Sequence, residues 1–475
     1  QFVGDDIRGN VGVVVTAKNR YCTAENTGVN NGNACRTSRG EVVAEVNVIE
    51  SIPSNRSAFA ALKSNGTVVT WGDSSSGGDS SVVQSQLTDV EAIFATDFAF
   101  AALKRDGTVV TWGLTPGYGG GGGDSSAVQA QLTNVKTIFA STRAFAALKT
   151  DGSVVTWGNP FYGSDSSAVQ SQLTDVEVIF ATDSAFAALK RDGTVVTWGD
   201  SNNGGDSSAV QSQLTNVEVI FATDSAFAAL KRDGTVVTWG DSNNGGDSSA
   251  VQSQLTDVEA IFATKEAFAA LKADGTVVTW GSSSYGGDSS AVQSQLTDVE
   301  AIFATEKAFA ALKRDGSVVT WGNSSNGGDS SMVQSQLTDV KTIFSTSSAF
   351  AALKRDGSVV TWGISSYGGD SSTVQSQLTD VDTVFSVKTA FAALKVDGSV
   401  VTWGFSSFGG DSSAVQSQLN DVDTVFTANY YGAFAALKLD GNVVTWGDDY
   451  RGGDSSAVQP QLAPAVTELH KTLNR

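Results

Sequence analysis

Hydrophobic and polar positions recur along this chain in one 41-residue pattern, and a single copy is enough to read its elements. In the copy starting at Val217, the run Val217 to Ala222 is β-branched and aromatic, which predicts a strand. A second apolar run, Ala226 to Lys231, meets a third, Thr235 to Trp239, across Arg232-Asp233-Gly234. An Asp-Gly pair between two apolar runs predicts a hairpin, because both residues tolerate positive φ. The unit is therefore expected to be a three-stranded meander. Beyond Gly240 lies a glycine-rich loop, and then Asp247-Ser248-Ser249-Ala250-Val251-Gln252, where Ser249 and Gln252 have the spacing of a capping box. That spacing predicts one helical turn over Ala250 to Leu255.

Alternation then says how the meanders pack. Phe227 and Ala229 share one face of the second strand, while Ala226, Ala228 and Leu230 share the other; in the third strand Val236 and Thr238 oppose Val237 and Trp239. Neither face is polar, so each sheet must be covered on both sides, and the available cover is the neighbouring unit. Ten such units occur, marked by Trp71, Trp112, Trp157, Trp198, Trp239, Trp280, Trp321, Trp362, Trp403 and Trp446, the only tryptophans in the chain. Seven of the nine intervals are 41 residues; one gains four in the glycine run before Asp124, and the last gains two around Tyr430 and Tyr431. Residues 176–215 and 217–256 are identical, so duplication within the chain is the simplest origin of the array. Each indole is expected to fill the gap between adjacent sheets, at about 4 to 6 kcal/mol per buried Trp as an upper bound.

Stacked meanders of this period predict an all-β, β-propeller-type array of ten repeats over residues 46–462. A single ten-bladed ring is favoured over a seven-plus-three division or an open superhelix. The string AFAALKRDGTVVTWGDSNNGGD resembles the repeat of the regulator of chromosome condensation family, which also joins an apolar strand, an Asp-Gly turn and a Gly-x-Val-x-x-Trp-Gly segment. The short period is similar to bacterial relatives with three-stranded blades, of which beta-lactamase inhibitor protein II is the secreted example. Two departures stand out: Phe227 occupies the strand position where the family carries a histidine, and Gly-Gly-Asp-Ser-Ser replaces the usual Gly-Gln-Leu-Gly loop. The family propeller also closes with seven blades. The resemblance implies a propeller fold and, more remotely, guanine-nucleotide exchange or a ubiquitin-ligase propeller domain.

Residues 1–45 form a separate N-terminal β segment, with strands expected near Val13 and Val43 on either side of a loop holding Cys22 and Cys35. Two cysteines cannot close a tetrahedral zinc site, and a disulfide is the expected pairing. Residues 463–475 form a C-terminal tail with helical spacing. Gln1 is expected to be a processed end from which any signal peptide has been removed, and no apolar run is long enough for a membrane span. With 30 basic and 50 acidic residues the net charge is -20, which opposes attraction to nucleic acid or an anionic membrane. Asn55, Asn65 and Asn323 begin N-x-Ser/Thr sequons in predicted turns and are candidate glycosylation sites. The missing initiator Met, the cysteine pair, the acidity and the sequons together lead us to expect a secreted or cell-surface protein.

Candidate chemistry is sparse. The lone histidine, His470, lies in the tail, so no Ser-His-Asp or Cys-His arrangement is expected and the chain reads as a non-enzyme. Ten aspartates recur before the Ser-Ser pairs, Asp79, Asp124, Asp165, Asp206, Asp247, Asp288, Asp329, Asp370, Asp411 and Asp454, and capping explains them. No cofactor is expected; calcium at loops such as Asp200 to Asp206 is the one cation weighed, against the missing spacing of an EF-hand. Units differ from one another in two loops. One follows Trp-Gly and carries Tyr118, Phe161, Tyr162, Tyr285, Tyr367, Phe405, Phe408 and Tyr450; the other joins the first two strands and carries Asp97, Arg143, Lys265, Lys307, Lys388 and Tyr430. Aromatics at Tyr118, Tyr162, Tyr285, Tyr367, Phe408 and Tyr450 are candidate contacts for a protein or a carbohydrate. The resulting expectation is a structural or adhesive scaffold that binds a protein partner or itself, with a lectin-like or protein-inhibiting propeller as the alternative.

Overall fold

The computed structural model describes residues 34–36, 42–114, 120–428 and 432–468. Ten three-stranded antiparallel sheets follow one another, each built from a single unit in the order first, second, third strand. In the fifth unit the strands are Val217–Ala222, Ala226–Lys231 and Val236–Gly240, one residue later at the hairpin than the alternation predicts. Phe227 lies opposite Trp239 and Ala222, so the aromatic pair falls in the same rung of the sheet.

Both faces of every sheet are covered, as the absence of polar alternation requires. Ala185, Ala187 and Leu189 of the fourth unit share a core with Phe227, Ala229, Val237 and Trp239 of the fifth. The opposite face, Ala226, Ala228 and Leu230, packs on Phe268 and Ala270 of the sixth. Alanines let the sheets approach, and the large rings supply volume. Phe227 and Trp239 stack at 5.1 Å, a pairing repeated in all ten units at 5.1–5.3 Å.

The indole N–H fixes the spacing between units. Trp239 Nε1 donates to the Gly204 carbonyl of the fourth unit at 3.0 Å. Gly204 has φ +93°, and a Cβ there would stand 2.6 Å from Phe227 Cδ2, so only glycine lets the preceding loop lie flat on the ring. The same contact joins the tenth unit to the first: Trp71 Nε1 donates to the Gly452 carbonyl at 3.0 Å, and Phe59 and Trp71 share a core with Ala433, Ala435 and Leu437. Ser54 Oγ adds a bond to the Thr427 carbonyl. Each of the ten sheets is built from one unit, none from strands of two units, in keeping with units that start and stop in the same phase.

The third strand, at the free edge of each sheet, is covered by its own loop. Thr238 Oγ1 pairs with Ser248 Oγ at 3.0 Å, Ser248 Oγ bonds Gln252 Oε1 at 2.8 Å, and Gln252 Nε2 donates to the Val236 carbonyl at 3.0 Å. That amide-to-carbonyl bond recurs in all ten units. An edge carbonyl that would otherwise invite strand addition is thereby occupied. The expected capping box is corrected here. Gln252 is tied to buried Ser248 rather than to exposed Ser249, and the helical turn shrinks to a 3-10 helix, Gln252–Gln254. Anchoring of Ser248 to the strand decides which serine is available.

The chain ends correct a second expectation. Among the described residues of this end an α-helix forms over Gln459–Leu462, and Ala465–Glu468, within the stretch read as helical, is a strand. It pairs antiparallel with Val42–Asn47, whose other side holds Ala34–Arg36. Ala-Val-Thr-Glu satisfies an extended pattern as well as a helical one, and an available strand edge settles it. Lys63 secures the junction: Nζ donates to the Gln461 carbonyl at 2.8 Å and the Ala463 carbonyl at 3.4 Å, and burial lowers its pKa. The strand near Val13, Cys22, His470 and most of the tail lie outside the described residues, and of Cys35 only its place in Ala34–Arg36 is described.

A candidate interaction face

Turns between the first and second strands form a belt. The amide of each turn residue donates to the carbonyl of its counterpart in the next unit: Arg56 to Asp97, Asp97 to Thr142, Thr142 to Asp183, Asp183 to Asp224, Asp224 to Lys265, Lys265 to Glu306, Glu306 to Ser347, and Ser347 to Lys388, at 2.9–3.3 Å. Successive first strands contact one another, so the belt runs along the margin where neighbouring sheets meet. The loops after Trp-Gly end at the same face, because each third strand finishes beside the start of the second: Ala226 lies opposite Gly240. Both variable loops therefore share one face.

A threonine fastens the two loops together. Thr223 Oγ1 donates to the Asn244 carbonyl at 3.0 Å and accepts from the Ala226 amide at 2.9 Å. Asn55 replaces this threonine in the first unit; its Oδ1 accepts from the Ser57 and Ala58 amides, and its Nδ2 donates to the Ser76 carbonyl. Asn55 is 5% exposed, so its side chain is an internal brace rather than the accessible turn residue expected of a sequon. Asn65 stands exposed at a hairpin, accepting from Thr67, and half-buried Asn323 caps a 3-10 helix over Ser324–Asn326. In the ninth unit Val387 occupies the threonine position, and the buried Thr389 hydroxyl has no hydrogen-bond partner.

The belt side chains fall into two polar groups. Glu306 Oε1 receives Lys265 Nζ at 3.0 Å and Lys388 Nζ at 3.3 Å, while Lys307 Nζ sits 4.9 Å from the Tyr285 ring. In the first three units Arg56 approaches Asp97 at 3.7 Å, and Phe98 lies between Arg56 at 5.6 Å and Arg143 at 4.8 Å. Arg143 also stacks on Tyr162 at 5.3 Å.

The candidate aromatics divide by their place in the 3-10 helix that follows Trp-Gly. Tyr162, Tyr285 and Tyr367, at its third position, are half-buried against the cores between units; Phe408, at the same position, stacks on Phe405 at 5.0 Å. The middle position points outward, leaving Phe161 80% and Tyr450 86% exposed. Tyr118 and Tyr430 lie outside the described residues. Arg143 between two rings is visible in the sequence only as a variable position. Its stacking depends on a neighbouring unit's Phe98, which no single repeat displays.

The opposite end carries a charged collar on the first strands, where Glu91, Glu177, Glu218, Glu259, Glu300, Asp382 and Asp423 are exposed, interrupted by Lys136 and Lys341. The recurrent Asp series behaves as turn chemistry: the Ser249 amide donates to Asp247 Oδ1 at 2.9 Å, and that bond, then the Ser249 hydroxyl, holds the carboxyl below its ordinary pKa. In the loop weighed for calcium, Asp200 and Asp206 accept from the Asn202 and Ser208 amides, each within its own turn. Among the described residues no three His, Cys, Asp or Glu side chains converge as a metal-binding group, and no helix is long and apolar enough to cross a membrane.

No protein-family model matches the sequence, and no curated protein matches it. Solved structures with a similar trace include the ectodomain of the receptor kinase CR4 from Physcomitrella patens, at 17% identity over 58% of this chain and 73% of that one, TM-score 0.33. Another is Prp20p from Saccharomyces cerevisiae, at 14% identity over 59% and 81%, TM-score 0.32. A third is the CRINKLY WD40 ectodomain of the Arabidopsis thaliana receptor kinase ACR4, at 17% identity over 56% and 93%, TM-score 0.30. Likeness at these values says nothing about what this chain does.

Proposed function

We propose that the ten units form one closed ring acting as a secreted, non-catalytic scaffold, and that it engages a protein partner through the face bearing the inter-unit belt. One observation carries the reading: the two loops that differ most between units lie together on that face, whereas the Phe-Trp stack, the alanine faces and the edge-covering glutamine recur in every unit. Rigid cores with variable loops on one side are the physical form of a binding module. The indole bond from the first unit to the tenth supports closure, since it repeats the bond between sequence neighbours.

The test replaces the belt pairs of units one to nine with the Asp-Ser of the fifth unit, Asp224-Ser225, leaving every core untouched. Partners recovered from native material by the unaltered chain should be lost by this variant while its melting temperature stays close to the original. Retention of the partner would place binding elsewhere. Secretion is tested separately, by mass spectrometry of the non-reduced protein for a peptide pair linking Cys22 and Cys35. A carbohydrate-binding reading is favoured by exposed Phe161 and Tyr450 alone; glycan binding that vanishes in a Phe161→Ala, Tyr450→Ala double variant would support it.

A further inference from the structure

Among the described residues of the belt, Arg143 is the cation held between two aromatic rings. Asp97 is paired with Arg56, Asp183 accepts from the Thr142 hydroxyl at 3.1 Å, and Glu306 is shared by two lysines. Arg143 has no carboxylate partner among the described residues, and its buried Nε has no hydrogen-bond partner. Its place is nevertheless fixed. The sequence of contacts is Arg56, Phe98, Arg143, Tyr162, a ladder of alternating cations and rings that crosses the first three units. At the equivalent position the first, fourth and fifth units have Ser57, Ser184 and Ser225, so nothing in the repeat itself requires a cation there.

A guanidinium held over two aromatic faces keeps its in-plane N–H edge for a ligand, and that edge matches the two oxygens of a carboxylate. The surroundings select further. Asp97 and Asp183 on the same belt, within a chain of net charge -20, disfavour a dianionic phosphate or a nucleic-acid backbone, where a single negative charge is tolerated. Phe161, the chain neighbour of Tyr162, is 80% exposed and offers apolar area on the same loop as the ring that braces the cation. Resting on the reading of this face as a protein-binding surface, we propose that Arg143, braced by Phe98 and Tyr162, anchors a carboxylate side chain from an acidic, apolar-flanked segment of a protein partner.

The experiment uses the full chain with the synthetic peptide acetyl-Leu-Phe-Glu-Phe-Leu-amide, which carries one carboxylate, its Gln-for-Glu counterpart and inorganic phosphate, followed by calorimetry and by the arginine Nε–H resonances in NMR. The Glu peptide should bind and shift the Arg143 signal, with the Gln peptide roughly tenfold weaker. Arg143→Ala should lose roughly the same tenfold, and Arg143→Lys, which keeps charge without the fork, should fall between. Far-UV circular dichroism and melting of both variants control for folding. Equal affinity for the two peptides, an unchanged Arg143→Ala, or no binding of the Glu peptide would each overturn the proposal. Tighter binding of phosphate would overturn the carboxylate assignment. If the Asp-Ser belt variant loses its native partner while Arg143→Ala keeps it, the face stands and the anchor falls.

Discussion

At the scale of single residues, two side-chain types do most of the structural work, and each makes a distinct prediction. Trp239 both fills the space between sheets and, through Nε1, satisfies a buried carbonyl of the preceding unit. Trp239→Ala should cost about 3 to 5 kcal/mol in urea unfolding, and Trp239→Phe, which keeps a ring but orphans the Gly204 carbonyl, about 1 to 3 kcal/mol. Asp247 and its nine counterparts have carboxyl pKa values held below the ordinary 3.8, in the case of Asp247 first by the Ser249 backbone N–H. A depressed folded-state pKa gives stability that is complete above about pH 4 and is lost as pH falls through the lowered values. Melting temperatures measured from pH 6 to pH 2 should be level and then fall. Asp247→Asn should keep the turn and Asp247→Ala should lose about 1 kcal/mol, because an Asn side-chain oxygen can accept the same amide bond from two residues on.

At the scale of elements, stability is not uniform around the array. Thr223 joins the strand turn to the following loop with two hydrogen bonds, whereas the ninth unit has Val387 there and an unpartnered Thr389 hydroxyl. The loops of the ninth unit should therefore exchange amide protons faster than those of the fifth, a difference hydrogen-exchange mass spectrometry resolves by peptide. Thr223→Val should cost about 1 to 3 kcal/mol by leaving buried groups unpaired, and Val387→Thr should slow exchange over residues 405–410. Strands and hairpins were legible in the sequence because their signals are local: β-branched runs, Asp-Gly turns and two-residue alternation. The 3-10 helices and the Ser248–Gln252 bond were misread, since which serine is free depends on Thr238 across the sheet edge. The terminal strand was misread for a related reason, its partner Val42–Asn47 lying at the other end of the chain.

At the scale of the whole molecule, each core belongs to two units, so the array behaves as a series of nearest-neighbour interfaces. The interface between the tenth and first units carries one extra device, the sheet that pairs Ala465–Glu468 with Val42–Asn47. Ending the chain after Ala463 should remove protection from Val42–Asn47 first, then from the first and tenth units, with the fifth unchanged; uniform protection in the truncated chain would show that this sheet stabilises nothing beyond itself. The candidate face was half legible in the same sense. Variable positions such as Arg143 and Lys307 are visible when units are aligned, but the ladder from Arg56 to Tyr162 exists only once three units are side by side.

Because Trp71 reaches Gly452 as Trp239 reaches Gly204, where translation begins is immaterial to how the units recognise each other. Circular permutation exploits such indifference: new ends cut into an exposed Gln-Ser-Gln arm, with the old ones spliced, would leave every joint between blades intact.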